Sequence, residues 1–217
     1  MITQPQRIGA SGLDLDVVDH LLTTTRAVRK RLDMAKPVSV DVILECLEIA
    51  VQAPTGTNSE SWRWIVVSDP EVRLQIAELY QNPVYPEVST APPVPDSPQQ
   101  RRVLESAQYL SAHVHEAPMM VVPCVHTAGG AAGWPPSIYP AVWNFNLALR
   151  SRGLGTTLTT VHLWRRDEAD ALLGVPDGFV QACLLPIAYF TGDDFKPAKR
   201  RPIEDVVFAN HWDTPVR

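Results

Sequence analysis

Residues 137–151, SIYPAVWNFNLALRS, carry apolar side chains on nearly every face of a helix. Ile138, Val142, Phe145 and Leu149 recur at spacings of three and four, which marks one face, while Trp143, Leu147 and Ala148 fill the others. Such a helix has little to offer water, so it is central to a core or central to a dimer. Any fold for this chain must cover it from several directions. Gly153 then supplies the C-terminal cap signal.

The rest of the chain reads as an α/β alternation around that helix. With 217 residues, 45% of them apolar, it is long enough for one well-buried core, and residues 1–217 are expected to form a single domain. A helix is predicted over Asp16 to Leu22, and a second one from an N-cap at Ser39 to Pro54. Trp64 to Val67 reads as a buried strand leading into a helix from Glu71 to Tyr80. Residues 82–98, NPVYPEVSTAPPVPDSP, hold six prolines, and so many missing N–H donors exclude helix and central strand. That stretch is read as an extended lid or, equally, a passive linker. Gln100 to His115 is predicted helical, and Met119 to Val125 a strand that Pro123 confines to an edge or bulge. After a Gly-rich turn and the apolar helix, Thr156 to Val161 is β-prone. Asp167 to Leu173 is a short helix capped by Gly174, and Phe179 to Phe190 a long strand interrupted by Pro186.

A net charge of -5 spread over both signs gives no basic field, so neither nucleic acid nor an anionic membrane surface is expected as a partner. Any anion site must be local. Cys46, Cys124 and Cys183 are odd in number, far apart and set in apolar runs, which fits reduced buried thiols and a cytoplasmic location. No signal-peptide core opens the sequence, and no stretch approaches the roughly 18 apolar residues of a membrane span.

Four segments carry chemical potential. Ala53 to Trp62, APTGTNSESW, lets backbone approach a ligand closely while Thr55, Thr57, Asn58 and Ser59 offer donors and acceptors; the same residues equally suit a turn that satisfies its own backbone. Arg26 and Arg29 in TTRAVRKR can converge on a dianion such as phosphate, or form a solvated basic turn. Arg200 and Arg201 in KPAKRRP form a second basic cluster. GLGTTLTT fails the dinucleotide fingerprint, because its third glycine is missing and it follows a helix. His162 follows the threonines within reach of any site there, although a packed or solvated histidine is the commoner case. No metal-ligand spacing occurs.

Taken in order, these segments resemble the FMN-dependent nitroreductase superfamily, from Thr23 to Val207. TTRAVR resembles the family's N-terminal RRSxR-type element and APTGTNSESW its APSGxNxQPW-type element. PAVWNFNLALRSRGLGTTLTT resembles the long dimer helix with its following strand, LLPIAYF the strand ending PIGYP, and KRRPIEDVV the terminal phosphate-binding element. The resemblance implies an α+β fold, with a central mixed or antiparallel sheet flanked by helices. It implies an intertwined homodimer with two flavins at its interface and a C-terminal arm over about residues 203–217. It implies that Arg26 with neighbouring Ala27 meets the FMN phosphate, and that Arg29 lies near flavin N1 and the C2 carbonyl. Thr55 and Thr57 would contact the ribityl chain and ring, Ser137, Ile138 and Pro140 would meet the flavin across the interface, and Thr159 and Thr160 would lie near the N5 edge. Arg200 would be a second phosphate ligand, with Arg201 a substitute, and Trp62 a packing anchor. Thr25, Ala27, Glu60, Ser61 and Ala188 depart from the family pattern.

The activity so implied is ping-pong hydride transfer from NADH or NADPH through FMN to a nitroaromatic or quinone-like acceptor, with no catalytic side chain. Two other functions share the motifs: a flavin-binding store without turnover, and flavin-fragmenting relatives that make dimethylbenzimidazole. Reductive dehalogenases of the iodotyrosine type pair a lid Glu, Tyr and Lys with a zwitterionic substrate; no lysine lies between Tyr80 and Pro118, which argues against that set.

Overall fold

The computed structural model describes residues 7–80, 97–127 and 137–216. The sequence-read lid at residues 82–98 lies outside these except for Ser97 and Pro98, and the Gly-rich turn after Thr127 lies outside them too. The chain falls into two compact units, Thr25–Asp193 and Met1–Thr24 with Asp194–Arg217.

The larger unit is built on an antiparallel sheet. Its strands are β1 (Leu32–Asp33), β2 (Trp62–Val67), β3 (Met119–His126), β4 (Leu154–Thr156), β5 (Phe179–Gln181) and β6 (Leu185–Phe190). The order β1-β6-β3-β2 forms the main path, with β4 on β6 and β5 on β3, and every strand pair is antiparallel. Five helices among the described residues of this unit cover it. Numbered after the N-terminal helix α1 (Leu15–Thr24), they are α2 (Val40–Ala50), α3 (Pro70–Tyr80), α4 (Pro98–His113), α5 (Ile138–Ser151) and α6 (Arg166–Leu173).

Strand β3 shows why its sequence is a continuous apolar run rather than an alternating one. Met119, Val121 and Val125 face a core with α2 and α5, whereas Met120, Val122 and Cys124 face a second core with α3 and α4. A strand buried on both faces has no polar position. Helix α5 fits the first core through Ile138, Ala141, Val142, Phe145 and Leu149, and of its large apolar side chains Trp143, 46% exposed, turns to solvent. Truncating fully buried Phe145 to alanine would cost about 3–5 kcal/mol. Ser39 caps α2 by accepting from the Asp41 N–H, and Gly174, at φ 64°, ends α6 in the left-handed conformation. Ser97 and Gln100 form a capping box on α4, so the end of the proline-rich stretch is already a helix start.

Three sequence readings need correction. Strand β3 is interior rather than at an edge, but the bulge reading of Pro123 holds: Val121 pairs with Leu185 and Cys124 with Gln181, so the partner carries one extra residue there. His126 N donates to Ser61 O, so even-numbered N–H groups face β2 and odd positions face the other side. There Pro123 sits in the gap where β6 ends and β5 begins, and its carbonyl accepts from Ala182 N at 2.8 Å. Pro186 likewise does not interrupt a strand, since it lies inside β6 with its missing donor just beyond the last residue of β4. The break instead falls at residues 182–184. The threonine run is mostly irregular: only Thr156 belongs to β4, Thr159 makes an isolated bridge to Leu184, and Val161–Arg165 is a 3-10 turn.

The smaller unit contains α1, which Asp14 caps by accepting from the Asp16 and Val17 N–H groups, and an ion pair between His20 and Asp194. Helix α1 leaves Val17 and Leu22 exposed among the described residues, while Val18 and Leu21 of the apolar face read from the sequence are half-buried. Near the C-terminus Phe208 bridges to Pro215 and packs its ring 5.0 Å from that of Trp212, which is 83% exposed.

Candidate functional site

The first cluster forms where the basic strip meets the end of β4. Val28 N donates to Thr156 O at 2.9 Å, and Ala27 pairs with Thr156 as a parallel bridge. This close approach requires Gly155, because a Cβ there would lie 3.0 Å from that of Val28. Arg26 and Arg29, both half-buried, thus flank a short extended strip fixed to the sheet. Arg29 forms no ion pair among the described residues, while Lys30 reaches Glu105 of α4 at 3.9 Å. Beside the strip, the hydroxyls of Thr156 and Thr157 are buried with no hydrogen-bond partner among the described residues. Buried polar groups in that condition are rare and call for an explanation.

The following residues are held firmly. Thr159 exchanges backbone bonds with Leu184 at 3.0 and 2.7 Å, and its hydroxyl lies 3.0 Å from that of Tyr80 at the end of α3. Leu158 is exposed between them, and Thr160 faces solvent. Next comes His162, 1% exposed, with its Nε2 3.2 Å from Gln181 Oε1. Burial, assisted by the Arg166 charge and opposed by the Gln181 hydrogen bond, drives its pKa down to about 4. Burial also pushes the Cys124 and Cys183 thiols up to about 12, so neither is a ready nucleophile.

The second cluster is the turn between α2 and β2. Thr57 and Asn58 at φ 55° and Glu60 at φ 43° are three non-glycine residues in the left-handed region within four positions. Such strain costs of order 1 kcal/mol per residue and gathers at functional sites. The side chains serve the turn in part: Thr55 Oγ1 accepts from Glu60 N, and Thr57 Oγ1 donates to Gly56 O. Gly56 N donates to the Ser137 hydroxyl at 3.3 Å, which ties this turn to the start of α5. Of the residues there, Ile138 is buried in the core and Pro140 is exposed. Trp62 is 7% exposed within the first core, a packing anchor as read. Arg200 and Arg201 belong to the smaller unit, where both are exposed in an irregular stretch before the 3-10 turn Ile203–Asp205.

Sequence reasoning missed Tyr80, Gln181 and Asp170, and undervalued His162. Nothing local announces them, because their contacts join residues far apart in the chain. The orphaned threonine hydroxyls were legible only as β-propensity.

The sequence profile of the nitroreductase family matches residues 22–189, which include both clusters. The chain belongs to the nitroreductase family. Among curated relatives of this nitroreductase-family chain, iodotyrosine deiodinase from Thermotoga neapolitana is 28% identical over 179 residues, 81% of this chain and 89% of the relative. Iodotyrosine deiodinase 1 from Mus musculus is 25% identical over 200 residues, 87% of this chain and 67% of the relative. A solved structure of oxidized iodotyrosine deiodinase bound to FMN and 3-iodo-L-tyrosine superposes with a TM-score of 0.67 at 21% identity, covering 91% of this chain and 98% of the other. The FMN-dependent nitroreductase NfnB from Mycobacterium smegmatis, in complex with NADPH, gives a TM-score of 0.67 at 16% identity, covering 91% and 99%. These two structural likenesses establish the nitroreductase-like fold. No helix among the described residues is long and apolar enough to cross a membrane.

Proposed function

We propose that the protein is an FMN-dependent oxidoreductase using NADH or NADPH to reduce a small oxidised acceptor such as a nitroaromatic or quinone. The observation that carries this reading is the first cluster: a strip with Arg26 and Arg29, bonded through Val28 to Thr156, beside two buried threonine hydroxyls that lack partners among the described residues. A planar, polar, anionic ligand fits that donor set, since a guanidinium fork suits phosphate and orphaned hydroxyls need hydrogen-bond partners. FMN, when bound, supplies the hydride chemistry, and the chain supplies position and field. Arg26 would hold the phosphate. Arg29 would place fixed positive charge where reduction leaves negative charge, the logic of an oxyanion hole. Thr159 and Thr160 would border the ring, and the backbone of Thr159 is already set by Leu184.

The second cluster fits a complete site assembled from two copies, in which Thr55, Thr57 and the Ser137 to Pro140 segment serve the partner's flavin. Supporting a homodimer, one chain leaves large apolar side chains exposed on α1 (Val17, Leu22), on α2 (Val40, Leu44, Ile49), at Trp143 and at Trp212. We treat residues 1–217 as one functional domain on the same ground.

A second reading, reductive dehalogenation of a halogenated phenol, is favoured by the two deiodinase relatives. The missing lysine between Tyr80 and Pro118 weighs against recognition of a zwitterionic amino acid. Anaerobic addition of NADH or NADPH to the FMN-loaded protein separates these functions. Bleaching followed by recolouring with a nitroaromatic or quinone supports the first. Bleaching only by dithionite, with turnover of a halophenol, supports the second, and no turnover of any acceptor supports a flavin store.

A further inference from the structure

His162 is the buried group that the proposed chemistry does not use. Its imidazole is 1% exposed, two residues beyond Thr160, in the turn Val161–Arg165. Its Nε2 meets Gln181 Oε1 at 3.2 Å, and Gln181, itself 0% exposed, donates from Nε2 to Asp170 Oδ1 at 2.7 Å. The direction of this chain is fixed at its far end. An ionised carboxylate only accepts, so the Gln181 amide must turn its NH2 to Asp170 and its oxygen to His162. The imidazole must then carry its proton on Nε2 to donate to that oxygen. Nδ1 is left as an unprotonated acceptor, and it is buried without a partner among the described residues.

The consequence is mechanical. The segment before the turn is tied down by the Thr159 bridge to Leu184 and by the Tyr80 hydroxyl; the segment after it is tied down through His162 to β5 and α6. Thr160 lies between these anchors, with its carbonyl accepting from Leu163 N at 3.0 Å. We infer that His162 is a positioning residue for the flavin edge: Asp170, through Gln181, fixes its tautomer and so clamps Thr159 and Thr160 in place. This rests on the flavin reading above. The same clamp explains why so buried a site spends three polar side chains from three different elements where apolar packing would fill the space. Directional hydrogen bonds specify one arrangement where apolar packing would not, and the unpartnered Nδ1 is a cost borne alongside that specificity.

The test compares wild type, Asp170→Asn and His162→Gln, each stripped of flavin and titrated with FMN, following flavin fluorescence and the visible circular dichroism of the bound ring. Nitrogen NMR of the imidazole reports the tautomer directly. Wild type should show a single Nε2–H form. Asp170→Asn, a nearly isosteric change at a half-buried position, lets the Gln181 amide turn over. It should give mixed tautomers, bind FMN about tenfold more weakly and shift the flavin dichroism, with its cooperative melt retained. His162→Gln should weaken binding at least as much; if it fails to fold, Asp170→Asn decides alone. Wild-type affinity and dichroism in Asp170→Asn, with its tautomer changed, would overturn the inference while leaving the flavin reading intact. A wild-type protein that takes up no FMN would overturn both.

Discussion

The strip around Arg26–Arg29 and the turn around Thr55–Glu60 are both short, irregular and rich in candidate ligand groups, yet the chain secures them by different means. The strip is stitched to β4 by backbone, packed over Gly155, and neighbours hydroxyls left without partners. The turn spends part of its hydroxyl chemistry on itself, stays exposed, and holds three residues in left-handed backbone. On the proposed reading, the difference separates a preformed cradle from a surface that a second copy would complete. Arg29 is half-buried with no ion pair among the described residues, so under the proposed function it would be charge held ready for a ligand, whereas strain in the turn would be energy for a partner's ligand to offset.

The largest effect expected on the cradle side is a pH dependence. The folded pKa of His162 near 4 lies below its ordinary 6.5, so the unfolded chain takes up the proton first. The associated stability is therefore complete above pH 6.5 and is lost as pH falls towards 4, by roughly 3 kcal/mol over that window. Urea unfolding at a series of pH values should show this limb in wild type and a flatter one in His162→Gln. Equal slopes would mean that the ring is hydrated rather than sealed.

A smaller effect follows from the seam itself. Gly155→Ala places a methyl against Val28 and Leu32 and should cost about 2 kcal/mol while loosening FMN retention. Stability lost without any change in FMN retention would divorce the seam from the cofactor.

The smallest effect belongs to the turn. Thr57→Gly removes a left-handed β-branched residue and, after the entropy cost of glycine, should stabilise the flavin-free protein by about 0.5–1 kcal/mol. If it destabilises instead, the turn is not strained, and the contrast between the two regions fails.

The sequence made the elements legible where a local physical signal coincides with the outcome. Ser39 and Gly174 cap as read, since each cap is decided by its own side chain or its own φ. The apolar runs of β3 and α5 announced burial because both are covered from more than one side. Pro123 marked a bulge as read, but neither it nor the absence of an interruption at Pro186 could be placed locally: a missing N–H is harmless wherever a neighbouring strand happens to end, and no window around the proline records that. The threonines after Gly155 read as strand by propensity but bend away after Thr156 into a bridge and a 3-10 turn. The basic strip was legible as an anion site only alongside the other segments, and its attachment to Thr156 is a tertiary fact. The His162, Gln181 and Asp170 chain was not legible, because its members lie on three elements.

The account turns on Arg29 serving the ring rather than the phosphate. A guanidinium about 4 Å from the charge of the reduced ring, at an effective dielectric near 20, is worth at most about 4 kcal/mol, of which solvent access leaves about half. For a two-electron couple, Arg29→Ala should then lower the flavin potential by about 40–80 mV, with Arg29→Lys between it and wild type. Spectroelectrochemical titration of the three FMN-saturated proteins measures this directly. A wild-type potential in Arg29→Ala, accompanied by lost FMN affinity, would make Arg29 a phosphate ligand and contradict the assignment.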